Sequence, residues 1–277
     1  MKYSKLCVIL ALGLMAAVSC KSQYETLLAS GDLDAKYDAA MNYFNNKKYQ
    51  KAAHLFESMA VLTSGTERDD TVQYYWGLSN YRFKDYYTAE SNFASFVENF
   101  PRSPFAQDAQ FYRLDCLYRA TYRWELDQMP TRACMAAINQ YLREQPADDI
   151  HVEACQNMLK DLQDRLDRKD YEAGRLYYRM EDYPAARLKL QNVLKANAEN
   201  NYREEVLYYT AMSSYHYARL SVEAKQKDRY LTFVDDYLNF VGEYPESSHR
   251  SELDRLYRQV QKILGRGGEA DDNKKAE

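Results

Sequence analysis

The sequence predicts an all-α fold built from stacked helix–turn–helix repeats, and three observations lead to this prediction. Pairs of aromatic residues seven positions apart recur along the chain, and neighbouring pairs are mostly separated by 37 residues. Apolar residues follow the helical period of about 3.6 almost throughout, whereas alternating strand patterns are absent. Only nine glycines and six prolines interrupt 277 residues. A fixed period of about 20–50 residues is typical of stacked repeat proteins.

The aromatic pairs mark the first helix of each unit, because residues seven apart lie on one face of an α-helix. Their first members are spaced by 37, 37, 60 and 37 residues, so one unit carries an insertion. The five pairs are Tyr37 with Phe44, Tyr74 with Tyr81, Phe111 with Tyr118, Tyr171 with Tyr178, and Tyr208 with Tyr215.

The N-terminus has the pattern of a lipoprotein signal. Two lysines precede an apolar run from Leu6 to Ala17, which is too short to cross a bilayer permanently. The run ends in Ala17-Val18-Ser19-Cys20, which resembles a bacterial lipobox. We therefore predict that residues 1–19 are a signal peptide, that Cys20 is lipidated, and that residues 20–33 form a tether. An ordinary signal peptide followed by a chance cysteine is the alternative.

Turn and breaker signals divide the rest of the chain into elements. A polar turn at residues 45–48 separates the first two helices, and Pro101 ends the second unit because proline cannot continue a helix. We predict a repeat domain over 34–264, in halves over about 34–146 and 149–264 joined by a long helix, and a disordered tail over 265–277. The predicted elements are helices over about 34–46, 49–62, 69–83 and 86–99, a third unit over 104–145, a long helix over 149–181, a fifth unit that repeats the second, and a capping helix over 248–264.

The units resemble tetratricopeptide repeats. Such repeats carry a small residue in the first helix, an alanine in the second, a large apolar residue after it and a closing proline. Small residues let helices approach closely and large ones fill the gaps, so we expect Gly77 and Gly174 to be packing glycines. The matching positions are Ala40, Ala52 and Phe56 in the first unit, Gly77, Ala89, Phe93 and Pro101 in the second, and Gly174, Ala186 and Leu190 in the fourth.

A lipobox followed by five such repeats, a long helix after the third and a short polar tail resembles the BamD family of outer-membrane assembly lipoproteins. The resemblance covers about Ala35 to Leu264, and its most specific segments are Tyr49–Ala53 and Tyr86–Pro104. The first and fourth units lack the closing proline and depart from the pattern. The resemblance implies a lipid-anchored protein on the periplasmic face of the outer membrane. Its implied partners are a BamA-type insertase with POTRA domains and unfolded outer-membrane β-barrel proteins.

Other classes of function are less well supported by the residues. His151 and Cys155 are spaced like metal ligands beside Glu153, but a metal site needs three or four ligands, so we expect no metal. No phosphate-binding loop or nucleophile motif is present, and we expect neither a cofactor nor an enzyme. The formal net charge of −4 argues against nucleic acid. The alternative is another periplasmic repeat scaffold that coordinates the envelope or cell-wall synthesis.

The cysteines after the lipidation site are Cys116, Cys134 and Cys155. An odd number cannot pair completely, and free cysteines usually behave as small buried apolar residues. A bridge between Cys116 and Cys134 stays open as the alternative.

The candidate binding site is the face of the first helices. In tetratricopeptide repeats these helices line the concave groove, and aromatic walls with a few cations would suit the aromatic C-terminal segment of an unfolded barrel protein. Packing of the same tyrosines between repeats is an equally good interpretation. The candidate residues are the ten aromatics Tyr37, Phe44, Tyr74, Tyr81, Phe111, Tyr118, Tyr171, Tyr178, Tyr208 and Tyr215, with the cations Arg82, Arg119, Arg175 and Arg179.

Overall fold

The computed structural model describes residues 23–146 and 149–275, with side chains as far as Gly265. The predicted signal peptide and the lipidation site Cys20 lie outside these residues. Within them, every regular element is an α-helix, so the all-α prediction is confirmed. The twelve described helices are α1 (Gln23–Ala29), α2 (Leu33–Asn45), α3 (Tyr49–Ala60), α4 (Asp69–Phe83), α5 (Tyr86–Asn99), α6 (Ala106–Arg119), α7 (Met129–Glu144), α8 (Val152–Arg179), α9 (Tyr183–Ala196), α10 (Arg203–Arg219), α11 (Glu223–Glu243) and α12 (Arg250–Lys275).

The turn between the two helices of a repeat has the same backbone geometry in three of the repeats. Lys47, Lys84 and Glu181 adopt left-handed backbone conformations, with φ of 59°, 72° and 62°. In the second and fourth repeats the next residue is an aspartate that caps the second helix. The Asp85 carboxylate accepts a hydrogen bond from the Thr88 amide at 3.1 Å, and the Asp182 carboxylate accepts one from the Ala185 amide at 3.2 Å. Side-chain caps of this kind satisfy amides that have no partner inside the helix.

Three boundaries differ from the prediction. The predicted tether contains α1, because Leu27 and Leu28 pack against the first repeat. The long helix begins at Val152 rather than at Asp149, whose carboxylate accepts a hydrogen bond from the His151 amide at 2.7 Å. The last helix continues past Leu264 to Lys275, into the segment predicted as a tail.

Hydrogen bonds hold the Asp149 carboxylate at this boundary. Burial by itself would raise the pKa of Asp149, but bonds from Gln107, the His151 amide and Tyr141 outweigh it and lower the pKa below its usual range. The Tyr141 hydroxyl donates to Asp149 Oδ1 at 3.0 Å. The carboxylate therefore fixes the turn that precedes α8.

The described chain divides into two compact units. Unit 1 comprises the residues up to Thr121 together with Pro130–Val152, and unit 2 comprises Tyr122–Met129 together with the residues from Glu153 onward. In each unit the core consists of apolar residues from both helices of a repeat and from the first helix of the next. The fully buried side chains include Phe56, Phe93 and Phe96 in unit 1 and Leu190, Phe233 and Phe240 in unit 2.

Two glycines lie at close helix crossings, as predicted. A Cβ added to Gly77 would lie 3.0 Å from Phe93 Cε1, and one added to Gly174 would lie 2.6 Å from Leu190 Cδ2. Both distances are shorter than ordinary van der Waals contact, so α4 can approach α5, and α8 can approach α9, only because a glycine is present.

The three described cysteines, Cys116, Cys134 and Cys155, are buried, and none of them forms a disulfide. Burial raises the pKa of the Cys116 thiol to about 12. This thiol therefore stays protonated at neutral pH and packs as a small apolar side chain.

Candidate functional site on the first helices

The ten predicted aromatic residues are all at least partly covered. Tyr74, Tyr171 and Tyr215 are buried, with exposed fractions of 5%, 7% and 6%. The other seven are half-buried, and the described residues include none of the ten in a fully exposed position.

The first member of each pair packs on the residue that immediately precedes the next first helix. This contact recurs in all five repeats, so it is a feature of the repeat itself. The ring centroid of Tyr37 lies 5.3 Å from the guanidinium of Arg68, and the ring–ring contacts are Tyr74 with Phe105 at 4.5 Å, Phe111 with His151 at 4.1 Å, Tyr171 with Tyr202 at 5.3 Å, and Tyr208 with His249 at 4.0 Å.

Hydroxyl groups of the pairs add polar links to the next first helix. Tyr81 donates to Asp115 at 2.6 Å, and Tyr208 donates to Glu252 at 2.8 Å. Burial first, and the neighbouring carboxylate second, raise the pKa of both tyrosines above the usual value. These rings and hydroxyls connect consecutive repeats. Packing between repeats therefore accounts for the three buried tyrosines and for the covered part of the other seven residues, which keep a partly exposed surface.

The four predicted cations differ in how far they are neutralised. Arg119 pairs with Asp115 at 2.5 Å, and Arg175 pairs with Glu172 at 3.3 Å. Arg82 and Arg179 are exposed, and within the described residues neither forms an ion pair. The guanidinium of Arg82 lies 5.9 Å from the ring centroid of Tyr81. The two exposed arginines are thus the candidate residues that a ligand reaches without displacing a carboxylate.

Unit 2 also contains a groove that the aromatic period does not predict. It has a volume of about 230 Å³, and α9, α10 and α11 form its walls. Its lining residues are Pro184, Arg187, Leu188, Gln191, Ser214, Tyr217, Arg229 and Thr232. The groove lies mainly on second helices, whose lining positions follow no aromatic period, and this explains why sequence reasoning missed it.

The two arginines of this groove have different roles. Arg187 makes a bidentate ion pair with Asp236, at 2.7 and 3.0 Å, and so connects α9 to α11. The guanidinium of Arg229 lies 3.8 Å from the ring centroid of Tyr217 and forms no ion pair within the described residues. Stacking on the ring and a hydrogen bond from Nη1 to Ser221 Oγ hold the guanidinium in place, and its remaining donors stay available. The groove therefore presents one positioned cation beside the exposed side chain of Leu188.

Unit 1 contains a groove between the equivalent helices α5, α6 and α7, at a different position along these helices and with a different charge. Its volume is about 160 Å³, and Val97, Gln140 and Glu144 contribute to its lining. Its only arginine, Arg113, pairs with Glu90 at 2.9 Å. This groove is smaller and lacks a free cation, so it provides an internal comparison for the groove of unit 2.

The described residues contain no cluster of three or more histidine, cysteine, aspartate or glutamate side chains that could hold a metal ion. His151 contacts Asp108, with Nε2 2.9 Å from Oδ1, and stacks on Phe111. In the part of the chain that the structure describes, no helix is long and apolar enough to span a bilayer.

Consecutive helix pairs with small residues at their crossings, and aromatic contacts from one pair to the next, define a helical-repeat protein of the tetratricopeptide type. The chain belongs to the family described as YfiO, outer membrane lipoprotein, whose sequence pattern it matches over residues 31–231.

Two solved structures of tetratricopeptide-repeat proteins are similar to the chain at low identity. The TPR2AB domain of yeast Sti1, in a complex with pHSP90, is 15% identical, with 83% of this chain and 98% of that chain covered and a TM-score of 0.39. A tetratricopeptide-repeat protein from Bacteroides fragilis is 13% identical, with 84% of this chain and 100% of that chain covered and a TM-score of 0.41. No curated protein sequence matches the chain.

Proposed function

We propose that the protein is a lipid-anchored, non-enzymatic component of the machinery that assembles outer-membrane β-barrel proteins. In this role it binds a BamA-type insertase through the insertase's POTRA domains, and it binds unfolded barrel proteins on the periplasmic face of the membrane. Membership of the outer membrane lipoprotein family, over residues 31–231, is the observation that carries the proposal. The repeat architecture supports it, because solenoids offer extended surfaces for protein partners.

The groove of unit 2 is the best candidate contact for a folded partner. Its free cation, Arg229, and the exposed Leu188 fit a partner that presents an apolar side chain beside a carboxylate. A desolvated pair between a guanidinium and a carboxylate supports both affinity and orientation. The insertase contact is therefore assigned to this groove within the proposal.

Affinity purification from detergent-extracted envelopes tests the proposed function. The wild-type protein should recover a barrel protein with POTRA domains. Arg229→Glu should reduce that recovery, whereas Arg113→Glu, in the groove between α5, α6 and α7 of unit 1, should not. Recovery of cell-wall enzymes in place of a barrel protein would favour the alternative role as an envelope scaffold. Equal recovery by both variants would remove the groove from the proposal and leave the function standing.

A further inference from the structure

The turns between the paired helices of unit 1 concentrate positive charge at one end of that unit. Helices joined by short loops pack antiparallel, so the α2–α3 and α4–α5 turns lie at the same end. Residues 42–54 and 79–89 contribute one acid, Asp85, although the whole chain has a formal net charge of −4. The five exposed cations of these two segments are Lys47, Lys48, Lys51, Arg82 and Lys84.

Exposed aromatic side chains accompany these cations. Tyr87, in the first turn of α5, is 90% exposed, and Phe83, at the end of α4, is 48% exposed. None of the five cations forms an ion pair within the described residues, and Asp85 is engaged as the cap of α5. Cations beside exposed aromatic rings are typical of surfaces that lie in the interfacial layer of a membrane.

Helix α1 places the N-terminal end of the described chain at the same end of unit 1. The Tyr24 hydroxyl donates to the Lys51 carbonyl at 3.3 Å, and the Tyr24 ring packs edge-on against Tyr43 with centroids 5.6 Å apart. Only three residue steps separate Gln23 from Cys20, which corresponds to at most about 11 Å of extended chain. A lipid on Cys20 would therefore hold this end of unit 1 close to the bilayer.

We propose that the turn end of unit 1, defined by residues 42–54 and 79–89, docks on an anionic phospholipid surface. The lysines contact lipid phosphates, and the exposed rings of Phe83 and Tyr87 enter the headgroup layer. Anionic headgroups attract lysine side chains within about 8–10 Å at physiological salt. The inference rests on the proposed lipid anchor and adds an orientation to it: the anchor attaches the protein to the membrane, and this surface determines which end faces the lipid.

Two single-cysteine labels in the full-length lipidated protein test the orientation. An environment-sensitive fluorophore is placed at Tyr87→Cys, or at Glu67→Cys at the opposite end of unit 1, since the native described cysteines are buried. The protein is reconstituted in vesicles of phosphatidylcholine and phosphatidylglycerol that contain a headgroup-labelled quencher lipid. The label at position 87 should be quenched and the label at position 67 should not. In phosphatidylcholine alone, quenching at position 87 should fall.

Charge reversal tests the contribution of the lysines. Lys47→Glu with Lys84→Glu should lower the ratio of docked to undocked protein by at least about 25-fold, because each lysine near an anionic surface contributes about five-fold. Arg102→Glu, at the opposite end of unit 1, changes charge without changing quenching at position 87. Equal quenching at positions 67 and 87, or quenching that is independent of phosphatidylglycerol, would overturn the proposal. Loss of the protein from the vesicles altogether would instead contradict the lipid anchor.

Discussion

At the scale of single residues, the aromatic period has a structural origin. The residue just before each first helix packs on the first aromatic of the preceding unit, so both positions belong to one contact. That partner lies 31 residues after the first aromatic in the first, second and fourth repeats, but 40 residues after it in the third repeat and 41 in the fifth. Its identity also varies among arginine, phenylalanine, histidine and tyrosine. Because both the spacing and the residue type vary, the partner residue follows no period that sequence analysis could detect.

The left-handed residue in the turn between α8 and α9 gives a test of backbone strain. Glu181 has φ of 62°, a conformation that costs a non-glycine residue about 1–2 kcal/mol. Glycine adopts it freely but loses more entropy on folding. Glu181→Gly should therefore raise the free energy of unfolding, measured by urea denaturation, by about 0.5–1 kcal/mol. Glu181→Ala removes the same charge and keeps the strain, so an equal gain in both variants would contradict this explanation.

Substitution of an exposed arginine on the first helices tests the predicted binding site for unfolded barrel proteins, here called the client site. Arg82 is exposed and unpaired within the described residues, so Arg82→Ala removes a cation without leaving a buried carboxylate alone. If clients bind on this face, the variant should weaken binding of a peptide with an aromatic, free C-terminus by about 1.5–3 kcal/mol in a fluorescence titration. Arg102→Ala is the matched control. Unchanged affinity in both variants would exclude Arg82 from the client site.

At the scale of helices, the sequence predicts the paired elements well because periodic apolar faces and turns are local signals. The predicted helices over 69–83 and 86–99 match α4 and α5 residue for residue. Helix α1 is missed because it has only seven residues and is stabilised by contacts with the first repeat that a local pattern does not contain. The unit 2 groove is missed for the same reason, since Arg187 meets its partner Asp236 only across 49 positions of sequence.

The glycine at the crossing of α8 and α9 tests helix packing. A methyl group at position 174 would come within 2.6 Å of Leu190, so Gly174→Ala should lower the free energy of unfolding by about 1–3 kcal/mol. Gly242 lies in α11, and a Cβ there meets no atom within 4 Å. Gly242→Ala should instead be neutral or stabilise by up to about 1 kcal/mol, because alanine favours a helix. Chemical denaturation of both variants distinguishes packing from helix propensity.

At the scale of the whole molecule, the negative net charge affects how the protein can attach to a membrane. Removal of the predicted signal peptide takes away two lysines and no acid, so the formal net charge falls from −4 to −6. An anionic membrane repels a protein with negative net charge. An anchor with two acyl chains binds the bilayer strongly enough to outweigh this repulsion. Cys20→Ala should therefore move the protein from the membrane to the soluble fraction, or leave it as an unprocessed precursor, on fractionation. A processed variant that still sediments with the outer membrane would contradict lipidation at Cys20.

The tyrosines of the repeat contacts predict how stability responds to alkaline pH. Burial, as the largest cause, raises the pKa of Tyr171, Tyr178 and Tyr237 from 10.0 to about 12. Between these values the unfolded chain loses a proton that the folded chain keeps, so the free energy of unfolding falls as pH rises. The stabilisation is complete below pH 10 and is lost as the pH approaches about 12.

Urea denaturation at a series of pH values above neutrality measures this loss. Tyr237→Phe removes one ionising group, whose hydroxyl donates to Asp254 at 2.7 Å, and should make the decline with pH less steep. The variant also loses this hydrogen bond at every pH, so the informative quantity is the slope and not the stability itself. Tyr87→Phe is the control: it removes a tyrosine hydroxyl from a side chain that is 90% exposed, and it should leave the slope unchanged. The same slope in the wild type and Tyr237→Phe would show that Tyr237 ionises as readily in the folded chain as in the unfolded one.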